Sequence, residues 1–375
     1  MKIPFNVPLN LIVKNKHISK VLQSHKFSGD GQYNRYCGEE LEKITGCLKA
    51  ILTPSCTAAL EMSALLSDIK AGDEIIMPSY TYVTTASAFV LRGAKIVWCD
   101  IRYDTKNIDE KKIETLITEK TKAIVVVHYA GVACEMDYIK QICQKYDLIL
   151  IEDAAQAIDS YYKNKPLGSF GDFATLSFHE TKNVQCGEGG ALLINNPDMV
   201  EKAQIIRDKG TNRIHFDQGI VDKYTWVELG SSFLMSELQA AFLLPQLIDL
   251  KRINDRRRML CEVYNRELSD IIPQERLPFI PEHCKGNGHI FYMLTFERKQ
   301  RNKLLDYLKE RQITAVFHYV PLHLAPFWKG KYSDLNLEVT QEVSDTLIRL
   351  PLFYDLTEKQ LDFIIENIRQ FYRDM

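Results

Sequence analysis

Several signals that would place this chain in a special class are missing from its sequence. The 375 residues contain no Cys-x-x-Cys pair, and the nine cysteines are an odd number spread from Cys37 to Cys284. Neither a disulfide framework nor a zinc ribbon is therefore expected. The longest aliphatic runs, such as 124–127, are far too short to span a bilayer, and no apolar stretch precedes a cleavage site near Met1. We expect a cytoplasmic protein.

The charge balance likewise gives no reason to expect a polyanionic partner. Lys plus Arg total 47 against 49 Asp plus Glu, a formal net charge of -2. Nucleic acid and anionic membranes are therefore not expected as partners. The 46% hydrophobic and 26% charged residues are typical of globular proteins. At about 150 residues per domain, the length of the chain predicts two domains. The expected partner is a small molecule.

Short apolar runs alternate with helical patterns between about residues 49 and 195, which predicts an α/β fold with a mainly parallel sheet covered by helices. The predicted strands are 49–52, 74–77, 95–99, 123–128, 148–152, 173–178 and 191–194.

The pattern changes after about residue 250 and predicts a smaller α+β domain. Its predicted elements are helix 251–268, strand 290–296, helix 302–311, strand 314–319 and a last helix that opens at Thr357 with a capping box. We therefore expect a large domain over 1–250, including the N-terminal segment, and a small domain over 251–375. The basic cluster Arg256–Arg258 is interpreted as a solvated helix face rather than a phosphate grip.

Common catalytic motifs are absent. No Gly-x-Gly-x-x-Gly follows a strand, and Walker A, His-Glu-x-x-His and Gly-x-Ser-x-Gly sequences do not occur. His318 and His323 could serve a metal, but no third ligand stands beside them at metal-site spacing, so no metal site is predicted.

Three groups of residues at predicted strand ends are candidates for catalysis or binding. The first is a predicted phosphate-binding site, called the phosphate seat below. A strand runs into a helix through Ser55, Cys56 and Thr57. Free amide hydrogens at a helix start, with hydroxyls beside them, bind phosphate without a basic side chain. A simple Ser/Thr helix cap explains the same residues and stays open as the alternative.

The second and third sites are Asp153 and Lys182, each following an apolar strand. A half-buried carboxylate is costly without a cationic partner such as a protonated pyridine nitrogen, although Asp153 could instead cap the next helix. A lysine after a buried strand can lose its proton and form an imine, although most lysines are simply solvated. Pyridoxal phosphate needs all three of these groups: a site for its phosphate, a carboxylate for its ring nitrogen and a lysine that forms an imine with its aldehyde.

Longer motifs surround these sites and run over nearly the whole chain. They are Gly72-Asp-Glu-Ile-Ile-Met-Pro-Ser-Tyr-Thr-Tyr82, Ile151-Glu-Asp-Ala-Ala-Gln156, Gly168-Ser-Phe-Gly-Asp172, Ser177-Phe178 with Lys182, Gly187-Glu-Gly-Gly190, Tyr319-Val-Pro-Leu-His323 and Leu350-Pro-Leu-Phe353. In these motifs the chain resembles the nucleotide-sugar aminotransferases of the DegT/DnrJ/EryC1/StrS family.

The resemblance implies the aspartate-aminotransferase-like fold, fold type I of pyridoxal phosphate enzymes, and a role for each matching residue. Lys182 would hold the cofactor through an imine and act as catalytic acid and base, and Asp153 would pair with the pyridinium nitrogen. Gln156 would lie near the ring hydroxyl, and Tyr82 would stack on the ring. The phosphate would be bound by Ser55, Cys56, Thr57 and Ser177 and, from the partner subunit, by Ser232, which stands where relatives usually have an asparagine.

The resemblance also implies substrate contacts through His318, Tyr319 and Lys223, with a purely structural role for His318 left open. It assigns no arginine to the carboxylate of the amino donor. Relatives that dehydrate sugars carry a histidine in place of the lysine, so Lys182 favours amino transfer.

The implied activity moves the amino group of L-glutamate to C4 of dTDP-4-keto-6-deoxyglucose, with pyridoxamine phosphate as the second form of the cofactor. The product would be dTDP-4-amino-4,6-dideoxygalactose, used for surface polysaccharides such as O-antigen or enterobacterial common antigen, and the active site would lie at a homodimer interface. The gluco epimer, a 3-amino sugar, and a non-catalytic binding or regulatory protein of the same fold stay open as alternatives.

Overall fold

The computed structural model describes residues 1–10, 16–328, 330–332 and 335–374. Its strands are β1 (Lys49–Thr53), β2 (Glu74–Pro78), β3 (Lys95–Cys99), β4 (Thr121–Val127), β5 (Ile149–Asp153), β6 (Tyr161–Tyr162), β7 (Lys165–Pro166), β8 (Phe173–Ser177), β9 (Gly190–Ile194), β10 (Cys284–Lys285), β11 (Phe291–Leu294) and β12 (Leu347–Leu350).

The helices are α1 (Lys16–Ser24), α2 (Gln32–Thr45), α3 (Cys56–Leu66), α4 (Val83–Val90), α5 (Glu110–Ile113), α6 (Met136–Tyr146), α7 (Val200–Arg207), α8 (Arg213–Asp217), α9 (Glu237–Ile248), α10 (Leu250–Leu268), α11 (Arg298–Glu310), α12 (Glu338–Thr346) and α13 (Glu358–Arg373). In the described ranges, no helix has the length and apolar character that a bilayer crossing needs.

Seven strands form one mixed sheet in the order β1-β9-β8-β5-β4-β2-β3. Neighbours from β8 to β3 are parallel, whereas β9 runs antiparallel to both β8 and β1. The α/β fold with a mainly parallel sheet is thereby confirmed. Because β1, β4, β5 and β8 point the same way, their carboxyl ends meet at one edge, where sheets of this kind bind ligands.

Helices cover the sheet on both faces because its central strands are apolar on both sides. In β4, Ile124 and Val126 belong to one buried cluster, while Ala123 and Val125 belong to another on the opposite face. The continuous apolar run of this strand, without polar alternation, is typical of a parallel strand buried between two layers. The first layer includes α6 and α9, and the second includes α3 and α4.

A further buried cluster joins the helices and strands of the C-terminal part. It contains Leu260, Leu304 and Ile364, from α10, α11 and α13, together with Ile3. Ile3 also forms a parallel bridge with Ile313, so the first residues of the chain pack with the last third of it. The boundary proposed at residue 250 stays a prediction.

Two expectations for the C-terminal part were wrong. Residues 314–319 form no strand, because only Val316 pairs, through a single bridge to Arg349, before the chain turns towards the sheet edge. Arg257 does not lie on a solvated face: it is buried, and its guanidinium donates to the carbonyl oxygens of Gly288 at 2.9 Å and His289 at 2.6 Å.

Candidate active site

A cavity of about 600 Å³ lies at the edge of the sheet where β1, β4, β5 and β8 end. It brings together most of the site residues predicted from the sequence: Ser55, Cys56, Thr57, Tyr82, Asp153, Gln156, Ser177, Lys182, His318 and Tyr319. Residues that are more than 250 positions apart therefore share one chamber.

The phosphate seat predicted from the sequence is the first turn of α3. The Ser55 hydroxyl caps this helix by accepting from the amide of Ala58 at 3.1 Å. The amides of Cys56 and Thr57, which line the cavity, lie in the first turn and have no carbonyl partners within the helix. The cap is thus present and leaves these two amides free, whereas their role as a phosphate seat stays a prediction.

Position 190, which lies beside this seat, has no room for a side chain. A Cβ at Gly190 would lie only 2.4 Å from the amide nitrogen of Cys56. The first residue of β9 can therefore approach the start of α3 this closely only without a side chain.

The thiol of Cys56 faces inward and is no nucleophile at neutral pH. Burial raises the pKa of the Cys56 thiol to about 12. Its Sγ donates to Thr175 Oγ1 at 3.5 Å, so the side chain packs under the seat as an uncharged group.

Asp153, the last residue of β5, is buried and held by two donors. Thr85 Oγ1 donates to its Oδ2 at 2.7 Å, and the amide of Ala155 donates to Oδ1 at 3.2 Å. Thr85 is oriented in turn by Thr81, with the two hydroxyl oxygens 2.8 Å apart. In the described part of the chain no cation pairs with Asp153, so its carboxylate can accept a further, charged donor from the cavity.

Lys182 follows β8, lines the same cavity as Asp153 and is half-buried. Burial lowers the pKa of Lys182, while the charge of nearby Asp153 acts in the opposite direction. Its Nζ makes no hydrogen bond or ion pair with the described residues. An amine that is partly desolvated and unpaired is poised to lose its proton and act as a nucleophile.

The wall facing these groups is a connected set of aromatic and polar side chains. Gln156 Nε2 donates to Tyr319 Oη at 2.8 Å, and its Oε1 accepts from the amide of Ala130 at 2.7 Å. The His318 ring stacks on Tyr319 with centroids 3.7 Å apart, and its Nδ1 lies 2.7 Å from Tyr129 Oη. Burial, followed by the charge of Arg349, lowers the pKa of His318 well below its usual range, so His318 is neutral.

Tyr82, Ser232 and Lys223 lie outside this enclosed wall. Tyr82 stands at the mouth of the cavity, immediately before α4, with 58% of its surface exposed. Ser232 and Lys223 are exposed and do not line the cavity of their own chain. The roles assigned to these three residues stay predictions.

Sequence reasoning missed Phe5, His289 and Arg349, which line the cavity, and Thr85, which binds Asp153. His289 Nδ1 lies 2.9 Å from Asn183 Oδ1, which fixes its ring at the chamber wall. Only Thr85 had a sequence signal, because Thr81 and Thr85 are spaced for one helical turn. The other three come from distant segments, for which no local pattern exists.

The residues present fit pyridoxal phosphate. A helix start provides amides for its phosphate, a buried carboxylate without a cationic partner suits its pyridinium nitrogen, and an unpaired amine can reach its aldehyde. In the ranges that the structure covers, no group of three or more His, Cys, Asp or Glu side chains is placed to hold a metal ion.

Comparison with known proteins gives matches over most of the chain. The sequence model of the DegT/DnrJ/EryC1/StrS aminotransferase family matches residues 13–369. The uncharacterized protein MJ1066 of Methanocaldococcus jannaschii is 35% identical over 343 residues, which is 88% of each chain.

Solved structures agree with these matches. Spr1654 of Streptococcus pneumoniae in its PMP form has a TM-score of 0.92 and 27% identity, with 100% of each chain covered. PseC of Helicobacter pylori, an aminotransferase involved in the biosynthesis of pseudoaminic acid, has a TM-score of 0.90 and 26% identity, again with 100% of each chain covered.

Proposed function

The chain belongs to the DegT/DnrJ/EryC1/StrS aminotransferase family, and from this premise we propose that it moves the amino group of L-glutamate to C4 of dTDP-4-keto-6-deoxyglucose. It is a sugar aminotransferase, and it uses pyridoxal 5′-phosphate. The proposed product is dTDP-4-amino-4,6-dideoxygalactose. The observation that carries the proposal is one cavity lined by both the unpaired amine of Lys182 and the buried carboxylate of Asp153.

The side chains of the cavity divide the work of the reaction. Bound pyridoxal phosphate supplies an electron sink for the carbon that loses its proton. Lys182 takes that proton as a base and returns one as an acid, which its lowered pKa favours. Asp153, held by Thr85, keeps a proton on the ring nitrogen. The first turn of α3 anchors the phosphate.

The overall exchange balances in two halves. L-Glutamate gives up its amino group and leaves as 2-oxoglutarate, with water supplying the carbonyl oxygen. The keto sugar then receives the same amino group and loses its carbonyl oxygen as water. One proton moves at the reacting carbon in each half, and Lys182 is the group in the cavity placed to move it.

The identity of the sugar and the configuration at its aminated carbon rest on fewer observations than the amino transfer itself. Four segments resemble the enzymes that make the 4-amino galacto sugar: 53–57, 177–183, 209–213 and 221–226. Incubating the protein with glutamate and dTDP-4-keto-6-deoxyglucose, and determining the product by NMR, tests this assignment. A gluco epimer or a 3-amino product would replace it. The role in surface polysaccharide synthesis and the cytoplasmic location stay predictions.

Lys182→Ala tests the reaction itself. We expect the variant to release no 2-oxoglutarate and to lose the absorbance of the covalently held cofactor, because no other unpaired amine lines the cavity among the described residues. Lys182→Arg is the matched control, since it keeps a cation but cannot form the link. A Lys182→Ala variant that turns over would contradict the assignment. Absence of turnover in the wild type with bound cofactor would favour the binding or regulatory alternative.

A further inference from the structure

His289 lines the cavity, yet the proposed chemistry gives it no role. It lies just before β11, only 5% of its surface is exposed, and Arg257 Nη2 donates to its carbonyl oxygen at 2.6 Å. One nitrogen of its ring, Nδ1, lies 2.9 Å from Asn183 Oδ1. The other nitrogen, Nε2, makes no hydrogen bond within the described ranges. An unpaired polar atom of a buried ring at a cavity wall is available to a ligand.

The proton on the His289 ring is placed by a chain of amide groups that begins at two fixed acceptors. Asn254 Nδ2 donates to the carbonyl oxygen of Ile158 at 3.3 Å and to Asp159 Oδ2 at 3.1 Å. Because a carbonyl and a carboxylate only accept, the orientation of the Asn254 amide is fixed, and its Oδ1 accepts from Asn183 Nδ2 at 2.7 Å. The Asn183 amide is thereby oriented as well, with its oxygen towards His289.

This chain decides which nitrogen of His289 can accept a hydrogen bond. Asn183 Nδ2 also donates to the carbonyl oxygen of Asn287 at 3.1 Å, which agrees with the same orientation. Since the amide oxygen of Asn183 only accepts, the proton of the neutral ring lies on Nδ1. Burial, followed by the charge of Lys182, lowers the pKa of His289 well below its usual range, so the ring is neutral. Nε2 therefore presents a lone pair to the cavity and requires a donor.

The position of His289 places this acceptor close to the reacting carbon. Asn183, which holds the ring, follows Lys182 directly in the chain. Among the charged groups, Lys182 contributes most to the lowered pKa of His289, which indicates that its amine is near the ring, since charge effects fall with distance. The donor to Nε2 is therefore expected on an atom next to the carbon that exchanges its amino group.

Of the two substrates, only the sugar has a hydroxyl group at such an atom. The amino-bearing carbon of glutamate is bonded to a carboxylate and a CH₂ group, whereas the carbonyl carbon of a 4-keto-6-deoxy sugar is bonded to a carbon with a hydroxyl group. We propose that His289 Nε2, with Nδ1 held by Asn183, accepts a hydrogen bond from the 3-hydroxyl of the sugar; this rests on the proposed transaminase function. A sugar without that hydroxyl leaves the lone pair unpaired, so His289 determines specificity.

The first test compares two sugars in His289→Phe, which keeps a ring but removes both nitrogen atoms. The amine forms of wild type and variant are mixed with dTDP-4-keto-6-deoxyglucose or with its 3-deoxy analogue, and the amino sugar formed is measured. We expect the preference of the wild type for the hydroxylated sugar to fall by about tenfold in the variant. His289→Gln, whose amide oxygen can still accept, should retain part of the preference. The glutamate half-reaction should stay within about threefold of the wild-type rate.

The second test needs neither cofactor nor substrate. NMR of the apoenzyme with ¹⁵N-labelled histidines should show, for the ring signals that His289→Gln removes, a proton on Nδ1 and none on Nε2 at neutral pH. The opposite tautomer would overturn the inference, because Nε2 could then only donate.

A control variant and the glutamate half-reaction separate a binding role from a structural one. His283→Phe makes the same change at a side chain that is 36% exposed and does not line this cavity, and it should leave the sugar preference unchanged. A wild type that uses both sugars equally, or equal losses in His289→Phe with both sugars and with glutamate, would overturn the inference. Failure of the wild type with glutamate and with both sugars would instead overturn the proposed function.

Discussion

Thr85 makes the only side-chain hydrogen bond to Asp153 in the described structure, which gives it a measurable role. Thr85→Val keeps the shape but removes the 2.7 Å hydrogen bond to the carboxylate. Because hydrogen bonds to charged groups are worth about 1.5–3 kcal/mol, we expect kcat to fall by about tenfold or more. Steady-state kinetics check this value. Thr85→Ser keeps the hydroxyl and should retain most of the activity, whereas a fully active valine variant would show that the ring nitrogen does not depend on this contact.

Single residues were predictable where the chemistry is local. The sequence singles out Asp153 and Lys182 because each follows an apolar strand, and the structure places both in the cavity. Arg349 and Arg257 were not predictable, since their environment is made by segments far away in the chain. Arg257 belongs to a run of three arginines that reads as a solvated surface, yet it binds carbonyl groups of residues 288 and 289.

At the scale of secondary-structure elements, the start of β9 packs directly against the start of α3. Gly190→Ala places a Cβ against the amide of Cys56, so β9 or the first turn of α3 must move. We expect the variant to bind pyridoxal phosphate at least about tenfold more weakly, because the phosphate seat loses its geometry. Titration of the apoenzyme, followed by cofactor absorbance, measures this.

The matched glycine control lies in another part of the chain. In Gly286→Ala, the nearest atom to the new Cβ is the flexible end of Ile280 at 3.2 Å, and the cofactor affinity should not change. Equal affinity in Gly190→Ala and the wild type would show that the seat tolerates the displacement.

Elements of the sheet were predicted to within one or two residues because long apolar runs leave little choice. Strand β3 matches its predicted bounds, and α10 begins one residue before its predicted start. The strand predicted over 314–319 is not formed, and the reason is physical. His318 and Tyr319 instead contact Tyr129 and Gln156 at the cavity. Contacts at a functional site override the local β preference there. The two-residue strands β6, β7 and β10 are too short to leave a pattern.

At the scale of the whole molecule, the order of elements along the chain predicts the sheet but not the enclosure of the site. Alternating strands and helices allow few arrangements other than a covered parallel sheet. The chamber is closed by Phe5 from the start of the chain and by residues 317–319 and Arg349 from its last third. Their arrival depends on long-range packing, such as the bridge between Ile3 and Ile313, which no local pattern encodes.

The proposed homodimer gives a prediction for the molecule as a whole. In α8 and in the segment between α8 and α9, several large apolar side chains are exposed: Phe216, Ile220, Tyr224, Trp226, Val227 and Leu229. Trp226 is 72% exposed and Ile220 is 65% exposed. A patch of this kind on one segment is typical of an interface between subunits. Ser232, proposed to reach the phosphate of the partner's site, follows the same segment directly.

Trp226→Ser should therefore weaken the dimer and the activity together. Light scattering after size exclusion should give twice the chain mass for the wild type, and dissociation of the variant at protein concentrations where the wild type stays dimeric. Activity should recover as the variant concentration rises, because assembly would complete each site. Leu91→Ser, an exposed apolar change outside this segment, is the control and should leave the mass unchanged. A wild type that is monomeric and fully active would contradict both the interface and the role of Ser232.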